Sequence, residues 1–148
     1  MKIRSVETEP PIMRKMTSGD KWEYAASWRC VIRTKKDGDL VARISPGYKT
    51  DLASVPKALR GAFDNGSGDF GVLVASQVHD LLYSTHYLSR TFADDLFYKL
   101  LRYFGVGCFK SFLYYKAVDL FGDGPWNKPE MELDRDRQLC RIDWVDRA

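Results

Sequence analysis

The sequence has 148 residues, of which 45% are hydrophobic and 14% aromatic, so it predicts one folded globular domain rather than a disordered chain. The net charge is only +3, with lysines and arginines interspersed among acids, which excludes a strongly basic nucleic-acid-binding surface. The three cysteines match no disulfide or zinc spacing and predict a reducing compartment. We find no secretory signal and no apolar run of the roughly 18–20 residues that span a bilayer, so we expect a soluble protein without a transmembrane segment.

The first third of the chain predicts β-strands. Residues 22–24 and 28–32 are rich in aromatic and β-branched side chains. An Asp-Gly turn signal at 36–39 precedes a return strand at 40–44, which predicts a hairpin within a small antiparallel sheet. Residues 47–56 show neither a helical nor a strand period, and we interpret them as an ordered loop that crosses from the sheet to the helices.

The second half predicts three helices. The first runs from residue 70, after an N-cap at Asp69, to about residue 84. The second begins at residue 89 or 91 and ends at 104, and the third runs from about 108 to 121. The apolar residues at helical spacing, which we expect to face the core, are Val74, Val78, Leu81 and Leu82 in the first helix, Phe92, Leu96, Phe97, Leu100 and Leu101 in the second, and Phe109, Phe112, Leu113, Ala117 and Leu120 in the third.

Together these elements predict a single α+β domain over residues 1–148, in which a small N-terminal antiparallel β-sheet packs against about three α-helices. Residues 1–46 are mainly β, 47–68 form the loop and a connector, and 69–122 are helical. Residues 123–148 form a charged C-terminal tail. We expect this tail to pack on the body of the protein or on a partner.

His79 and Asp94 are the most informative pair of residues. They lie on the first and second predicted helices, each about one and a half turns from the short linker at 84–89, which indicates that the helices are antiparallel. At about 1.5 Å rise per residue, the two side chains fall at a similar height. A histidine that faces a carboxylate across a helix pair is a general-base arrangement, half of a metal site, or an ordinary buried polar pair. Tyr83 shares the helix face of His79, because the two are four residues apart.

The second predicted helix offers structural interpretations beside the functional one. Residues 91–94 fit a capping box, in which Asp94 would simply close the start of the helix. Arg90 would either form a surface ion pair with Asp94 or point into a cleft and bind an anionic substrate group. His86 lies in the turn between the helices and is expected to be solvated.

Thr50 and Asp51 form a polar pair in an otherwise apolar loop. Such a pair commonly makes local hydrogen bonds to the backbone. If the loop passes over the helix pair, Thr50 would contact substrate and Asp51 would supply an oxygen ligand for a cation. Asp80 projects about 100 degrees away from His79 and would be a second such ligand. Since the candidate ligands are mainly oxygen, the cation would be Ca²⁺ or Mg²⁺.

Three ordered blocks within about residues 20–126 resemble the signature of a widespread phage and prophage family of small proteins, catalogued as a domain of unknown function. The blocks are residues 47–56 (G-Y-K-T-D-L-A-S-V-P), 79–83 (H-D-L-L-Y) and 90–94 (R-T-F-A-D). The resemblance implies a phage or prophage origin and no established activity. The protein would then be found in the cytoplasm of the bacterial host during infection, or within the phage particle.

The His-Asp-x-x-Tyr block is also similar to a helix of secreted phospholipase A2. This second resemblance implies that His79 is the base that activates water, Asp80 a calcium ligand, and Tyr83 and Asp94 the residues that orient the histidine. The chain lacks the cysteines that flank that motif and has no matching glycine-rich calcium loop. The resemblance therefore leaves the calcium site and the lipid substrate unsupported.

Two hypotheses follow. The first is a metal-assisted hydrolase in which His79 acts as general base, oriented by Asp94 and Tyr83, with the cation held by Asp51 and Asp80. The second is a non-enzymatic virion component of the tail or baseplate, or an accessory protein that binds other virion proteins or a host factor; the same residues would then form a structural polar network. A site requires the imidazole to open onto a concave pocket, whereas a structural network leaves it sealed.

Overall fold

A computed structural model describes residues 1–17, 19, 21–51 and 70–147. The fold is α+β, as the sequence predicts: mostly N-terminal antiparallel strands pack against mostly C-terminal helices. The predicted N-cap at Asp69, and the predicted loop from residue 52 onward, lie outside the described residues. In chain order the elements are β1 (Ile3–Thr8), β2 (Met13–Lys15), β3 (Trp22–Tyr24), β4 (Trp28–Thr34), β5 (Asp39–Ile44), β6 (Lys49–Thr50), α1 (Phe70–Thr85), α2 (Arg90–Tyr103), α3 (Cys108–Phe121), α4 (Asp123–Trp126), α5 (Glu130–Leu139) and β7 (Cys140–Val145).

The larger sheet has the strand order β1-β4-β5-β7, and every pair in it is antiparallel. The predicted hairpin forms its centre, as β4 and β5 pair in continuous register. The turn of this hairpin contains Gly38, whose φ of 87° and whose approach to the Val145 carbonyl oxygen both favour a residue without a Cβ atom. The side chains that the two central strands bury in the core are Trp28, Cys30, Ile32, Leu40, Ala42 and Ile44.

The charged C-terminal segment packs on the body of the protein, which is one of the two predicted alternatives, and it does so as regular secondary structure that the sequence does not predict. It forms α4, α5 and β7, and β7 completes the larger sheet beside β5. Cys140 and Ile142 are buried whereas Arg141 between them is exposed, which is the alternation of a half-buried strand. That alternation covers few residues and follows a helix rich in charged side chains, so the sequence pattern alone does not reveal it.

A second, smaller sheet has the order β2-β3-β6. Its strand β6 lies where the sequence predicts a loop, and its two residues pair with Trp22 and Glu23 of β3. The loop prediction was wrong at these two positions because so short a strand carries no detectable period. This strand brings Thr50, and Tyr48 just before it, against α1.

The three predicted helices are present, with α4 and α5 in addition. Helix α1 is buried on almost every side, in contact with α2, α4, α5 and β7. A helix buried in this way normally carries apolar side chains throughout. The polar side chains that α1 nevertheless buries are Ser76, Gln77, His79, Asp80, Ser84 and Thr85. Each of them has to find a partner inside the protein, because an unpaired buried polar group is costly.

The buried face of α3 is not the predicted one, although its bounds agree with the sequence. The residues that α3 buries are Ser111, Tyr114 and Val118. Five large apolar side chains are instead exposed: Phe109, Phe112, Leu113, Leu120 and Phe121. Apolar residues occur all round this helix, so its period does not determine which face is inside. Neither α3 nor any other helix in the described ranges is long and apolar enough to cross a membrane.

Burial of Cys30 predicts a loss of stability at alkaline pH. Burial raises the pKa of the Cys30 thiol from 9.0 to about 12. The folded state therefore retains the thiol proton more strongly than the unfolded chain, so the contribution to stability is complete below pH 9 and falls as the pH rises towards 12. Within that window one such group removes about 1.4 kcal/mol per pH unit.

We expect the difference in free energy of unfolding between the wild-type protein and Cys30→Ala, measured in urea, to shrink by about 1.4 kcal/mol between about pH 8 and pH 10. Cys108→Ala is the matched control, because its thiol is exposed. The same Cys30→Ala difference at both pH values would contradict the explanation.

Candidate functional site

The structure brings His79 and Asp94 together across the α1–α2 pair, as the sequence predicts. The Nε2 atom of His79 lies 2.7 Å from Oδ1 of Asp94. Both residues are buried, at 2% and 3% relative exposure, so the hydrogen bond is shielded from water. An ionised Asp94 accepts the Nε2 proton, which leaves Nδ1 as the basic nitrogen of the neutral ring. The geometry is therefore that of a histidine oriented by an acid.

Tyr83 joins the same carboxylate. Its hydroxyl group donates to Oδ1 of Asp94 at 2.7 Å. Burial, followed by the hydrogen bond to Asp94, raises the pKa of Tyr83, so the phenol keeps the proton that it donates. The imidazole is also packed between two rings, with centroid distances of 4.2 Å to Tyr83 and 4.9 Å to Phe97. These contacts restrict rotation of the His79 ring.

Arg90 stands behind this pair. Its Nε donates to the Tyr83 hydroxyl at 3.1 Å and lies 3.8 Å from Oδ2 of Asp94. The other guanidinium nitrogens bind the carbonyl of Asp119, at 2.7 Å, and the carboxylate of Asp123. A cavity of about 500 Å³ adjoins these residues, and Arg90 is not among the described residues that line it. Arg90 thus connects the His79–Asp94 pair, called the dyad below, to the end of α3. Its position does not support the predicted contact with substrate.

The capping-box interpretation of Asp94 is wrong. Helix α2 begins at Arg90, and its N-cap is Ser89, whose side chain accepts a hydrogen bond from the Phe92 backbone at 3.1 Å. Asp94 therefore lies beyond the positions that a capping box uses, and its side chain turns towards α1.

A cavity of about 500 Å³ lies beside the dyad. Its wall is formed by α1, by β6 with its flanking residues, by the end of α3, and by the segment that runs through α5. The predicted site residues on this wall are Thr50, Asp51, His79, Asp80 and Tyr83. Because His79 is only 2% exposed, no more than an edge of its ring reaches the cavity. The imidazole is therefore both hydrogen-bonded and adjacent to a concave space.

The two candidate cation ligands occupy different environments on this wall. Asp80 is buried and accepts a hydrogen bond from the Thr50 hydroxyl at 2.5 Å, so it reaches a different neighbour from His79, as its position on α1 predicts. Asp51 is exposed at the end of β6. Within the described ranges, no three His, Cys, Asp or Glu side chains form a group that would hold a metal ion. The prediction of a bound cation is thus supported only by the carboxylates of Asp51 and Asp80, whose oxygen atoms are suitable ligands.

The sequence did not single out a second polar cluster on the same wall. Ser84 bonds Tyr48, with 2.8 Å between the hydroxyl oxygens, and accepts from Nζ of Lys128 at 3.1 Å. Ser84 lies four residues after Asp80, a spacing that would have indicated a shared helix face. Lys128 lies in the charged segment, and only the fold brings it to α1.

His86 is not simply solvated, which corrects the expectation for the turn. It has a φ of 55°, its Nε2 lies 2.8 Å from the Trp126 carbonyl oxygen, and its ring stacks on the Trp126 ring at 3.8 Å. Trp126 also contacts the ring of Tyr83, at 5.1 Å between centroids. His86 thus anchors α4 against the end of α1.

Residues 24–118 match the family described as "Protein of unknown function (DUF1353)". No curated protein and no solved structure matches the chain. The matched region includes β4 to β6, α1, α2 and most of α3, so it contains the His79–Asp94 pair and the two helices that carry it.

Removing the Tyr83 hydroxyl tests how tightly Asp94 is held. Tyr83→Phe deletes the hydrogen bond to the buried carboxylate of Asp94 and the one accepted from Arg90, and it leaves the ring in place. We expect a loss of about 1–2 kcal/mol in the free energy of unfolding, measured by urea denaturation at neutral pH. Tyr98→Phe is the matched control, since Tyr98 packs on Tyr115 away from the dyad. Equal stability of the two variants would contradict this assignment.

Proposed function

The chain belongs to the DUF1353 family, whose description names no activity, and we propose that it is a hydrolase in which His79 acts as general base towards water. The observation that carries the proposal is the His79–Asp94 hydrogen bond at the wall of a cavity large enough for a small substrate. Asp94, fixed by Tyr83, sets the orientation of the ring.

In the proposed reaction His79 first accepts a proton from water and then donates it to the leaving group. Nδ1 of His79 removes a proton from a water molecule while the water oxygen bonds to the electrophilic carbon or phosphorus of the substrate. The imidazolium, stabilised by Asp94, then delivers that proton to the leaving group as its bond breaks. Tyr83 and Arg90 do not touch the reacting atoms in this scheme and act as positioning residues.

A divalent cation fits the same proposal. Asp80 and Asp51 line the cavity, and hard cations such as Ca²⁺ and Mg²⁺ prefer oxygen ligands of the kind that their carboxylates offer. When bound, the cation would supply positive charge for the oxyanion that develops on the substrate. Isothermal titration calorimetry with CaCl2 and MgCl2 tests this part of the proposal. We expect one of the ions to bind to the wild-type protein and to bind more weakly to Asp80→Asn. If neither ion binds, the proposed function involves no such cation.

We attribute the chain to a phage or prophage on the resemblance of residues 47–56, 79–83 and 90–94 to a phage-family signature. The attribution supports two locations, the cytoplasm of the infected bacterial host and the phage particle. Mass spectrometry of purified particles and of infected-cell lysates distinguishes them, and absence from both would count against the attribution.

The exposed face of α3 supports a second candidate function, an accessory or virion protein that binds a protein partner. Five large apolar side chains are exposed on this one helix, and exposed apolar patches often mark protein-binding sites. Under this alternative, purification from infected cells or particles yields a stoichiometric partner that is lost from Leu113→Glu. Met131→Glu is the control, because Met131 is 80% exposed on α5. Equal recovery with both variants would exclude α3 as the binding face.

The hydrolase proposal is tested with matched histidine substitutions. The probes are 4-nitrophenyl acetate, 4-nitrophenyl phosphate and bis(4-nitrophenyl) phosphate, each with and without added CaCl2 or MgCl2. We expect His79→Asn to reduce kcat/KM by about 10²–10⁴-fold on any probe that the wild-type protein hydrolyses, because a general base contributes about that much.

His86→Asn is the control, since asparagine tolerates the positive φ of that position. Full activity of a folded His79→Asn protein would remove the catalytic claim. Thermal unfolding of both variants confirms that any loss is not a loss of fold.

A further inference from the structure

The second polar cluster of the cavity, formed by Tyr48, Ser84 and Lys128, has the arrangement of a binding site. The hydroxyl groups of Tyr48 and Ser84 lie 2.8 Å apart, and Lys128 donates to Ser84 at 3.1 Å. Tyr48 and Ser84 are buried, at 1% and 3% exposure, and Lys128 is half-buried. All three line the cavity. The cluster is therefore rigid at its base and accessible from one side.

Hydrogen-bond donors exceed acceptors in this cluster. Burial raises the pKa of Tyr48 far above its usual range, so its hydroxyl group keeps a proton to donate. If Tyr48 and Lys128 both donate to Ser84, the Ser84 hydroxyl proton is directed to another acceptor. Lys128 has two further N–H groups, because only one of its three reaches Ser84.

The charge of Lys128 is not neutralised locally. Among the described residues, no carboxylate forms an ion pair with its ammonium group. Asp136, on the same wall, pairs with Arg135 at 3.2 Å, and Asp80 accepts from Thr50. A half-buried cation without an anion is costly unless a ligand supplies one.

We propose that Tyr48, Ser84 and Lys128 bind an anionic group of the ligand, a phosphate or a carboxylate. As a statement about substrate, this rests on the proposed hydrolase function, whereas anion binding itself does not. Lys21 and Lys49 also line the cavity, beside the carboxylates of Asp51, Asp80, Glu132 and Asp136. An anion therefore has to be selected by the local contacts at Lys128 rather than by the charge of the whole wall.

The anion is an anchor rather than the group that reacts. His79 and Ser84 are five residues apart on α1, so their backbones are separated by roughly 8–9 Å. A phosphate or carboxylate bound at Lys128 is therefore separate from the substrate bond that is hydrolysed next to His79. The substrate class is an ester, amide or phosphodiester that carries a second, separate anionic group.

The test is an NMR titration of ¹⁵N-labelled protein with inorganic phosphate and, separately, with acetate, at constant ionic strength maintained with NaCl. We expect saturable shifts of the Ser84 and Lys128 amide signals with at least one of the two anions. Preference for phosphate over acetate identifies a phosphoryl group, and the reverse preference a carboxylate.

Lys128→Gln should weaken this binding at least tenfold, and Ser84→Ala should weaken it as well. Lys99→Gln is the matched control, because Lys99 is also half-buried but lies outside the cavity. Non-saturable shifts with both anions, or unchanged affinity in a folded Lys128→Gln protein, would overturn the proposal.

The same titration separates this inference from the hydrolase proposal. His79→Asn should bind the anion with unchanged affinity while losing hydrolysis. Anion binding at Lys128 in a protein that hydrolyses no probe would sustain the anion site and count against the hydrolase. Hydrolysis that depends on His79, in a protein that binds neither anion, would support the hydrolase and contradict the anion site.

Discussion

The burial of helix α1 is the constraint on which the rest of the structure depends. It carries two rows of polar side chains into the interior, and each row has to be satisfied by a different neighbour. His79 and Tyr83 face α2, where the carboxylate of Asp94 accepts from both. Asp80 and Ser84 face the smaller sheet and the C-terminal segment. The candidate site is the place where these two rows meet one cavity.

The contact of α1 with the smaller sheet follows from a match of two repeats. Asp80 and Ser84 are four residues apart on a helix, a rise of about 6 Å. Tyr48 and Thr50 are two residues apart on extended backbone, a rise of about 6.6 Å. The chain directions are opposite, so Tyr48 meets Ser84 and Thr50 meets Asp80. This match explains why so short a strand as β6 is held against the helix.

The sequence predicts those parts of the fold whose signals are local. The helical period gives α1, α2 and α3 within about two residues of their observed ends, and equal distances from a short linker place His79 opposite Asp94. The turn signal gives the β4–β5 hairpin. These successes share one cause, namely that the residues concerned are close in sequence.

The features that the sequence misses depend on long-range packing. The edge position of β7 is decided by β5, about a hundred residues earlier in the chain. The inner face of α3 is decided by its neighbours, since its apolar residues lie all round. Lys128 approaches Ser84 only because α4 and α5 return the chain to α1. No spacing rule connects residues so far apart in the sequence, so the cluster of Tyr48, Ser84 and Lys128 cannot be predicted from the sequence.

The state of the His79 ring is the central claim, and ¹⁵N NMR of the imidazole nitrogens measures it directly. A general base in this geometry requires a neutral ring with its proton on Nε2, bonded to Asp94, and the lone pair on Nδ1. Asp94→Asn should shift this tautomer balance. A wild-type ring protonated on Nδ1, and insensitive to Asp94→Asn, would contradict the account.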